Sequence, residues 1–441
     1  MSGGRPELPP GPYAVVGLAR SGVAAALLLR GRGEEVYALD SGSPHEAAAR
    51  LRDAGAEVLL GDAALPRRAR SLVKSPGVPR EVPVVQAALS AGLPVLGELE
   101  LAWRLLPNRF IAVTGTNGKT TTTEWIGHIL RVAGRPVAVA GNVGTALSSL
   151  VGEIAAEVTI VCECSSFQLD DTLAFAPETA VLLNLAPDHL DRHGTFERYV
   201  AAKLQIFARQ GNDDVAVAPL GLGVEDLGGC ARRVCVGEGP GAELSFAAGQ
   251  LWWDEQPLLA VREISLPGAH NRANAMAAAA ACLANGVERD AVAEGLRTFA
   301  GVAHRLEDLG PVDGVRYVND SKATNVDSTL VALAAFEGGV HLILGGVGKA
   351  QDFTPLAGPV AEQCRSVYLI GQAAEEIERA LAPSGVVTVR AGTLESAVAR
   401  AAGAAVPGET VLLSPACASF DQFSDFEARG DAFRALVSAL R

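Results

Sequence analysis

Residues 114–120, TGTNGKT, carry the strongest chemical signal in this chain of 441 residues. They lie between an apolar segment that predicts a strand and a segment that predicts a helix. In that setting, backbone N–H groups and the helix N-terminus point at phosphate oxygens. Lys119 supplies a cation, and the Thr120 hydroxyl can reach Mg²⁺. The pattern predicts an ATP phosphate loop, although Val113 stands where the usual pattern has its first glycine. A glycine-rich turn without a ligand is the plainer alternative.

Two further polar positions follow predicted strands. Glu163 ends the apolar run 158–162, and His189 lies in the polar stretch 184–193. Ligands of doubly wound sheets bind beyond the carboxyl ends of the strands, so both residues are candidate Mg²⁺ ligands. Either one alone would be read as an exposed carboxylate or a loop histidine. Both assignments therefore depend on the phosphate loop upstream.

The first predicted βαβ unit contains a second glycine pattern. Gly17, Ala19 and Gly22 follow a short apolar strand, and Asp40 ends the next one. The spacing is a weak dinucleotide-binding fingerprint. A nicotinamide-dependent dehydrogenase is the function that this pattern alone would favour, but it leaves residues 114–120 unexplained.

Lys349 is a cation beside a glycine turn that follows the strand-like run VHLIL. Ala350 follows it instead of a hydroxyl residue, so a second triphosphate site is not expected. A carboxylate partner is the better functional interpretation. A solvated loop lysine is the alternative.

Composition limits the class of protein. Fifty acidic and 37 basic residues give a net charge of −13, which opposes nonspecific binding to nucleic acid or to an anionic membrane surface. The seven cysteines do not follow disulfide-framework spacings. Residues 1–12 lack the apolar core of a secretion signal, and no apolar run reaches the ~18 residues that span a bilayer. We expect a cytoplasmic protein with small-molecule substrates and neither a nucleic-acid nor a membrane partner.

Alternating strand-like and helical patterns predict an α/β fold in three domains. Residues 1–97 predict an N-terminal Rossmann-like domain. Residues 98–302 predict a central P-loop ATPase-like domain, whose mostly parallel sheet gains a small antiparallel extension within 211–265. Residues 303–441 predict a C-terminal Rossmann-like domain.

Several longer motifs, in a fixed order, carry a family resemblance: TGTNGKTT, ECSSFQLD, LAPDHLDRHG, YVAAK, LPGAHNRANA, NDSKATN, LGGVGK and SPACASFDQF. The chain closely resembles the Mur ligases over nearly its whole length, and NDSKATN with SPACASFDQF is particular to the member that adds D-glutamate. The resemblance implies an ATP-dependent ligase of peptidoglycan precursor synthesis. It would join D-glutamate to UDP-N-acetylmuramoyl-L-alanine through an acyl phosphate, use two Mg²⁺ ions and act as a monomer.

The resemblance also implies roles for individual residues. It implies catalytic roles for four residues: Lys119, Glu163, His189 and Lys203. It implies that metal is bound by Thr120, Glu163, His189 and a carbamylated Lys203. Spacing alone would make Lys203 a solvated helix lysine. The implied ATP-binding residues are Gly115, Thr116, Asn117, Gly118, Lys119, Thr120, Thr121, Asn271, Asn274, His304, Arg305, Asp320 and Lys322.

Two more sets complete the implied site. The residues that would bind the UDP substrate are Gly17, Ser21, Gly22, Asp40, Ser41, Ser75, Gly77 and Asn142. Those that would bind D-glutamate are Lys322, Thr324, Lys349, Ser419 and Phe426, the last through its backbone. Phe420 and Val347 depart from the residues expected in these motifs and could alter the shape of the glutamate pocket.

Two other functions remain open from the residues. A sister ligase that adds another amino acid, or acts on folate, would keep Lys119 and Glu163 but not NDSKATN and SPACASFDQF. A nucleotide-binding regulator without catalysis would not need Lys119, Glu163, His189 and Lys203 together. Phosphate release with different amino acids separates these possibilities.

Overall fold

The computed structural model describes residues 4–42, 44–224, 226–239, 241–348 and 351–441. The chain forms two compact units, Met1–Ala300 and Gly301–Arg441, which are described separately. The three predicted domain ranges stay predictions. No helix among the described residues is both long enough and apolar enough to cross a bilayer.

The first unit begins with a five-stranded sheet of order β3-β2-β1-β4-β5. All its strand pairs are parallel, and β1 and β4 are buried along their whole length. Burial on both faces is what helices packed over a parallel sheet produce. The elements are β1 (Tyr13–Val16), α1 (Arg20–Gly31), β2 (Val36–Asp40), α2 (His45–Asp53), β3 (Glu57–Leu60), β4 (Ser71–Lys74), α3 (Pro83–Ser90), β5 (Val95–Gly97) and α4 (Glu98–Leu105).

A nine-stranded sheet of order β14-β13-β12-β11-β10-β9-β6-β8-β7 completes the first unit. The elements are β6 (Phe110–Thr114), α5 (Lys119–Val132), β7 (Val137–Gly141), β8 (Thr159–Glu163), α6 (Ser166–Asp170), β9 (Thr179–Leu182), α7 (Leu190–His193), α8 (Phe196–Leu204), β10 (Val215–Pro219), β11 (Arg232–Gly237), β12 (Leu244–Ala247), β13 (Gln250–Trp253), β14 (Gln256–Ala260), α9 (Ala269–Ala284) and α10 (Arg289–Thr298).

The predicted antiparallel extension is present but shorter than the span 211–265. Only β12, β13 and β14 pair antiparallel, whereas β10 and β11 continue the parallel part of the sheet. Two-residue turns at 248–249 and 254–255 join the antiparallel strands, and all four turn residues have positive φ. Such turns match the twist of a hairpin.

The helix after the phosphate loop is held firmly in the core. Trp125 on α5 donates from Nε1 to Gly295 O over 3.2 Å, and its ring stacks on Phe299 with centroids 4.7 Å apart. A Cβ at Gly295 would lie 2.7 Å from Ile129 Cγ1, so α10 approaches α5 closely because residue 295 has no side chain. This packing holds the middle of α5, the helix that follows the phosphate loop, against α10 and Phe299.

The second unit contains a six-stranded sheet of order β15-β16-β20-β17-β18-β19. Only the edge strand β15 runs antiparallel, and sequence patterning missed it because Gly310 and Pro311 interrupt its alternation. The elements are β15 (Glu307–Val312), β16 (Val315–Asn319), α11 (Val326–Leu333), β17 (Val340–Gly345), α12 (Ala357–Gln363), β18 (Cys364–Ile370), α13 (Ala374–Leu381), β19 (Val387–Gly392), α14 (Leu394–Ala404), β20 (Thr410–Leu413) and α15 (Phe426–Ala439).

Candidate active site

The predicted phosphate loop joins the end of β6 to the start of α5. Gly118 precedes the helix with φ +83°, a backbone conformation that favours glycine. A Cβ at this position would overlap Asn274 Oδ1, and one at Gly115 would lie 2.9 Å from Leu183 Cβ. The loop backbone therefore runs against α9 and the end of β9 in a path that only glycine allows.

Residues after β9 and on α8 hold this loop in place. Asn117 N donates to Asn184 Oδ1 over 2.8 Å, and Asn184 Nδ2 donates back to Asn117 O over 3.1 Å. The Thr116 and Tyr199 hydroxyls lie 3.0 Å apart. Sequence reasoning assigned no role to Asn184 or Tyr199. The position of Asn184 at the start of a polar stretch was an available signal, whereas Tyr199 sits in an ordinary helical pattern.

Lys119 folds back over the loop. Its Nζ donates to Gly115 O over 3.0 Å and to Thr116 O over 2.8 Å. The ammonium group thus lies among the backbone groups that the sequence predicts around phosphate. An anion bound to the loop would therefore lie close to the Lys119 ammonium group.

Glu163 is a buried carboxylate in direct contact with the start of α5. Glu163 is only 3% exposed, and its Oε2 accepts a 2.7 Å hydrogen bond from Thr120 Oγ1. Oε1 accepts a 3.0 Å hydrogen bond from Asn142 Nδ2. β8 lies between β6 and β7, so the residues that follow these three strands meet at one edge of the sheet. The structure therefore brings Asn142, which the resemblance assigned to the UDP substrate, into contact with Glu163 and Thr120, which it assigned to metal binding.

Lys203 is buried, contrary to the solvated position that helical spacing suggests. It is 1% exposed, and its Nζ donates to Gly115 O over 2.7 Å. Nζ also lies 4.6 Å from the centre of the Tyr199 ring. Burial, and secondarily the Lys119 ammonium, lower the pKa of Lys203 from 10.5 to about 7. A large fraction of its amine is therefore neutral at neutral pH.

His189 lies in the loop between β9 and α7, beside Phe167 and Asp188. Its φ is +51°, its ring centre lies 5.0 Å from that of Phe167, and Nε2 lies 3.5 Å from Asp188 Oδ2. None of the hydrogen bonds in the described part of the chain joins it to Glu163 or Lys203. Across the same residues, no group of three His, Cys, Asp or Glu side chains is arranged to hold a metal. The metal-binding role of His189 stays a prediction.

Two of the predicted ATP-binding residues, Asn271 and Asn274, lie near the start of α9. Asn274 is buried beside Gly118, and Asn271 Nδ2 donates to Pro267 O over 2.9 Å. A cavity of about 220 Å³ opens on the neighbouring face of α9, between that helix and the ends of β9, β10 and β11. Leu183, Met276 and other apolar side chains line it. The structure thus places Asn274, but not Asn271, directly against the phosphate loop.

The predicted UDP-binding turn is tightly ordered. Asp40 accepts hydrogen bonds from Leu18 N (2.6 Å) and Gly42 N (2.8 Å), and Ser75 Oγ donates to Gly17 O over 2.7 Å. A Cβ at Gly22 would overlap the Gly17 carbonyl oxygen. The Asp40 carboxylate, which a dehydrogenase would direct at a ribose, is engaged with backbone N–H groups here. A cavity of about 930 Å³ opens beside this turn, between α1 and residues 144–153.

Ser21, Ser41 and Gly77 lie on the same turns as these residues. Ser21 is in the first turn of α1, Ser41 follows β2, and Gly77 lies in the loop after β4. The Gly77 carbonyl accepts a 3.4 Å hydrogen bond from Arg192 Nη1. Their roles in substrate binding stay predictions.

In the second unit, two predicted nucleotide residues are buried at the end of β16. Asp320 accepts hydrogen bonds from Ser414 Oγ (2.7 Å) and Leu306 N (3.1 Å), and burial raises its pKa to about 6. His304 has φ +60°, and its Nδ1 lies 3.0 Å from Asn319 Nδ2. Burial lowers the pKa of the His304 imidazole, and the neighbouring Glu307 carboxylate partly opposes this. Lys322 N donates to His304 O over 3.0 Å, which joins these segments.

A buried arginine that sequence reasoning missed is linked through Ser321 to Phe426, one of the predicted glutamate-binding residues. Arg429 on α15 donates to Ser321 Oγ (2.9 Å) and to Cys417 O (3.1 Å), and Ser321 Oγ donates to Phe426 O over 2.8 Å. Ser419 is also buried. Burial lowers the pKa of Arg429 to about 10. No pattern in the sequence distinguishes this arginine from exposed helix arginines.

The remaining predicted residues are less informative. Lys349 lies outside the described residues. Thr324 N donates to Lys322 O over 2.9 Å. Of the two departures from the motifs, Val347 pairs with Ala418 in an isolated bridge, and Phe420 is 69% exposed. Nothing in these contacts assigns Phe420 a function.

Comparison with known proteins confirms the predicted resemblance. The Mur ligase middle domain model matches residues 113–223, and the Mur ligase, glutamate ligase domain model matches residues 304–417. The chain is 43% identical to UDP-N-acetylmuramoylalanine--D-glutamate ligases of Acidobacterium capsulatum and Salinibacter ruber. These matches cover 97% of this chain and 96% and 97% of the two relatives.

Solved structures agree with the fold. UDP-N-acetylmuramate-alanine ligase from Thermotoga maritima aligns with a TM-score of 0.59 at 19% identity, over 97% of this chain and 99% of that one. This similarity supports the α/β architecture with its mostly parallel sheets. The chain belongs to the Mur ligase family, in the branch whose members are named UDP-N-acetylmuramoylalanine--D-glutamate ligases.

Proposed function

We propose that this chain uses ATP to join D-glutamate to UDP-N-acetylmuramoyl-L-alanine, with release of ADP and phosphate. The observation that carries the proposal is the convergence of Lys119, Thr120, Glu163 and Lys203 on one glycine-rich loop. The identity of the relatives supports the choice of substrates. The proposed place of this reaction is peptidoglycan precursor synthesis.

The chemistry requires an activated carboxyl group. A carboxylate does not react with an amine at neutral pH, so its oxygen must first become part of a leaving group. Phosphoryl transfer from ATP gives an acyl phosphate, and attack by the D-glutamate amine on the acyl carbon gives the amide and phosphate. Lys119 and the loop N–H groups would stabilise the charge on the transferred phosphoryl group.

The residues present fit magnesium. The Thr120 hydroxyl and the Glu163 carboxylate are oxygen donors 2.7 Å apart, and Mg²⁺ prefers such hard ligands. We propose two ions at this site, with His189 and a carbamylated Lys203 as further ligands. When bound, Mg²⁺ would neutralise charge on the phosphate oxygens.

Carbamylation suits the environment of Lys203. A neutral amine reacts with CO₂ to give R–NH–COO⁻ and one proton, and the lowered pKa of Lys203 supplies that neutral amine. The product replaces a buried cation with an anion beside Lys119, whose charge contributes to the lowered pKa. The repulsion between the ammonium groups of Lys119 and Lys203 would be replaced by attraction between the Lys119 ammonium group and the carbamate.

The remaining assignments extend the family roles to this chain. We assign ATP contacts outside the phosphate loop to Asn271, Asn274, His304, Arg305, Asp320 and Lys322. We assign D-glutamate contacts to Lys322, Thr324, Lys349, Ser419 and Phe426. The substrates are small molecules, and we propose that the enzyme acts as a cytoplasmic monomer.

Phosphate release tests the substrate assignment. The assay contains ATP, Mg²⁺ and UDP-N-acetylmuramoyl-L-alanine, with D-glutamate, L-glutamate, L-lysine or meso-diaminopimelate as the amino acid. We expect turnover with D-glutamate and little with the other three. Comparable turnover with L-lysine or meso-diaminopimelate would contradict the proposal, and omission of each substrate in turn is the control.

A further inference from the structure

A buried ion pair joins the end of β4 to the end of α6. Lys74 Nζ lies 2.7 Å from Asp171 Oδ2, and the two side chains are 2% and 1% exposed. Among the described residues, neither Asp171 carboxylate oxygen has a hydrogen-bond partner besides this contact. Desolvation of two charges offsets much of their attraction, so such a pair is weak evidence for stability alone. A positioning role is the alternative to consider.

The Lys74 ammonium also holds the loop that follows its own strand. Its Nζ donates to Val78 O over 2.8 Å, which closes the Ser75–Val78 loop. A Cβ at Gly17 would lie 2.5 Å from Val78 Cγ2 and 3.0 Å from Ser75 Cβ. The loop therefore packs directly on the turn at Gly17, and it carries Ser75 and Gly77, two of the residues predicted to bind the UDP substrate.

The Asp171 end of the pair is anchored independently. Asp171 O accepts a 3.0 Å hydrogen bond from Gly97 N. The buried Glu100 carboxylate accepts hydrogen bonds from the N–H groups of residues 173–175. At its other end, α6 begins with a capping box between Ser165 and Gln168. Loss of the ion pair would thus leave α6 in place and loosen the Ser75–Val78 loop at Val78, while the hydrogen bonds of Ser75 Oγ to Gly17 O and of Arg192 Nη1 to Gly77 O remain.

We propose that Lys74 and Asp171 are positioning residues that hold the Ser75–Val78 loop in the geometry required to bind the UDP-linked acceptor. The inference rests on the proposed function. We assign the pair to acceptor binding and not to ATP binding, because Lys74 binds Val78, which packs on the Gly17 turn. The phosphate loop contacts other residues, namely Asn184, Tyr199 and Asn274.

Paired substitutions test this role. Lys74→Met with Asp171→Ala removes both charges without leaving either one unpaired. We expect KM for the acceptor to rise about tenfold or more, KM for ATP to change less than about twofold, and kcat to be largely retained. Unchanged KM for the acceptor in this folded variant would overturn the inference, and so would equal rises for both substrates.

Arg80→Gln is the matched control. It removes the exposed pair of Arg80 with Asp170, which lie 3.4 Å apart beside the buried pair. We expect its KM values to equal those of the wild type, since the Ser75–Val78 loop keeps its contact with Lys74. An equal rise in acceptor KM in this variant would show that any change near the loop has the same effect, and would overturn the inference.

A second comparison serves if the double variant does not fold. Each Lys74 substitution is combined with Asp171→Asn so that no buried charge is left unpaired: Lys74→Gln keeps an N–H donor for Val78 O, whereas Lys74→Leu keeps none. Acceptor KM should be lower in Lys74→Gln than in Lys74→Leu, with ATP KM equal in both. Equal acceptor KM values would contradict the positioning role. Absence of D-glutamate-dependent turnover in the wild type would instead refute the proposed function.

Discussion

At the scale of single residues, Lys203 shows how burial changes the chemistry of a side chain. Its place in α8 looks ordinary, yet its amine lies against Gly115 O and the Tyr199 ring, and its pKa is lowered to about 7. The sequence alone could predict Lys119 and Glu163, because a glycine-rich turn and a strand end reveal them. It could not predict the burial of Lys203 or Arg429, since burial depends on which elements pack over a helix.

Chemical rescue tests the carbamate at Lys203. We expect Lys203→Ala to be nearly inactive, because the metal site loses an anionic ligand. Short-chain carboxylic acids should partly restore turnover by occupying the vacated space, whereas alkylamines should not. Lys119→Ala is the matched control, and its activity should not respond to carboxylic acids. Rescue of Lys203→Ala by alkylamines alone would show that the residue acts as a cation.

The lowered pKa of Lys203 also predicts a pH dependence of stability. In bicarbonate-free buffer, the unfolded chain keeps the Lys203 proton up to about pH 10.5, while the folded chain loses it at about 7. The unfolded state therefore binds more protons in this window, and the free energy of unfolding rises with pH across it.

Lys203→Met should lose this contribution. Urea unfolding of the two proteins, measured at several pH values between 7 and 10.5, gives the difference in slope. The wild type should gain stability relative to Lys203→Met as pH rises. Parallel curves would mean that the amine keeps its ordinary pKa in the folded protein.

At the scale of elements, the three sheets illustrate what patterns can and cannot specify. Apolar runs of four to six residues between glycine and proline breaks predicted most strands, including β1, β6 and β17. The edge strand β15 was not predicted, because edge strands tolerate proline and need no regular alternation of apolar and polar residues. The Lys74–Asp171 pair could not be predicted, because it joins residues nearly a hundred positions apart and local sequence patterns carry no information over that separation.

Gly118 is the element-scale position where the structure makes the sharpest prediction. Gly118→Ala places a Cβ onto Asn274 Oδ1 at a residue with φ +83°. We expect weaker ATP binding by about tenfold or more, because either the loop or the Asn274 side chain must move and alanine disfavours the left-handed backbone conformation at residue 118. Isothermal titration with ATP and Mg²⁺ measures the change.

Gly144→Ala is a suitable control for this substitution. Gly144 also has a positive φ, +75°, but a Cβ there meets no atom within 4 Å. Its affinity for ATP should match that of the wild type. If Gly118→Ala binds ATP as tightly as Gly144→Ala does, the phosphate loop does not require the observed path.

At the scale of the whole molecule, composition and motif order predicted the α/β class, the mostly parallel sheets and the family. The extent of the antiparallel part and the exposure of Phe420 needed the structure, because both depend on tertiary packing. The net charge of −13 makes local groups responsible for holding anionic substrates. Lys119, the loop N–H groups and the proposed metal ions would supply that attraction.

The central claim is that ATP activates the acceptor carboxylate directly. The most direct measurement uses UDP-N-acetylmuramoyl-L-alanine labelled with oxygen-18 in its alanine carboxyl group, together with ATP, Mg²⁺ and D-glutamate. Formation and aminolysis of an acyl phosphate transfer one labelled oxygen to each phosphate released. We predict by mass spectrometry that the phosphate carries this label in proportion to amide formed. Unlabelled phosphate accompanying amide formation would contradict the account.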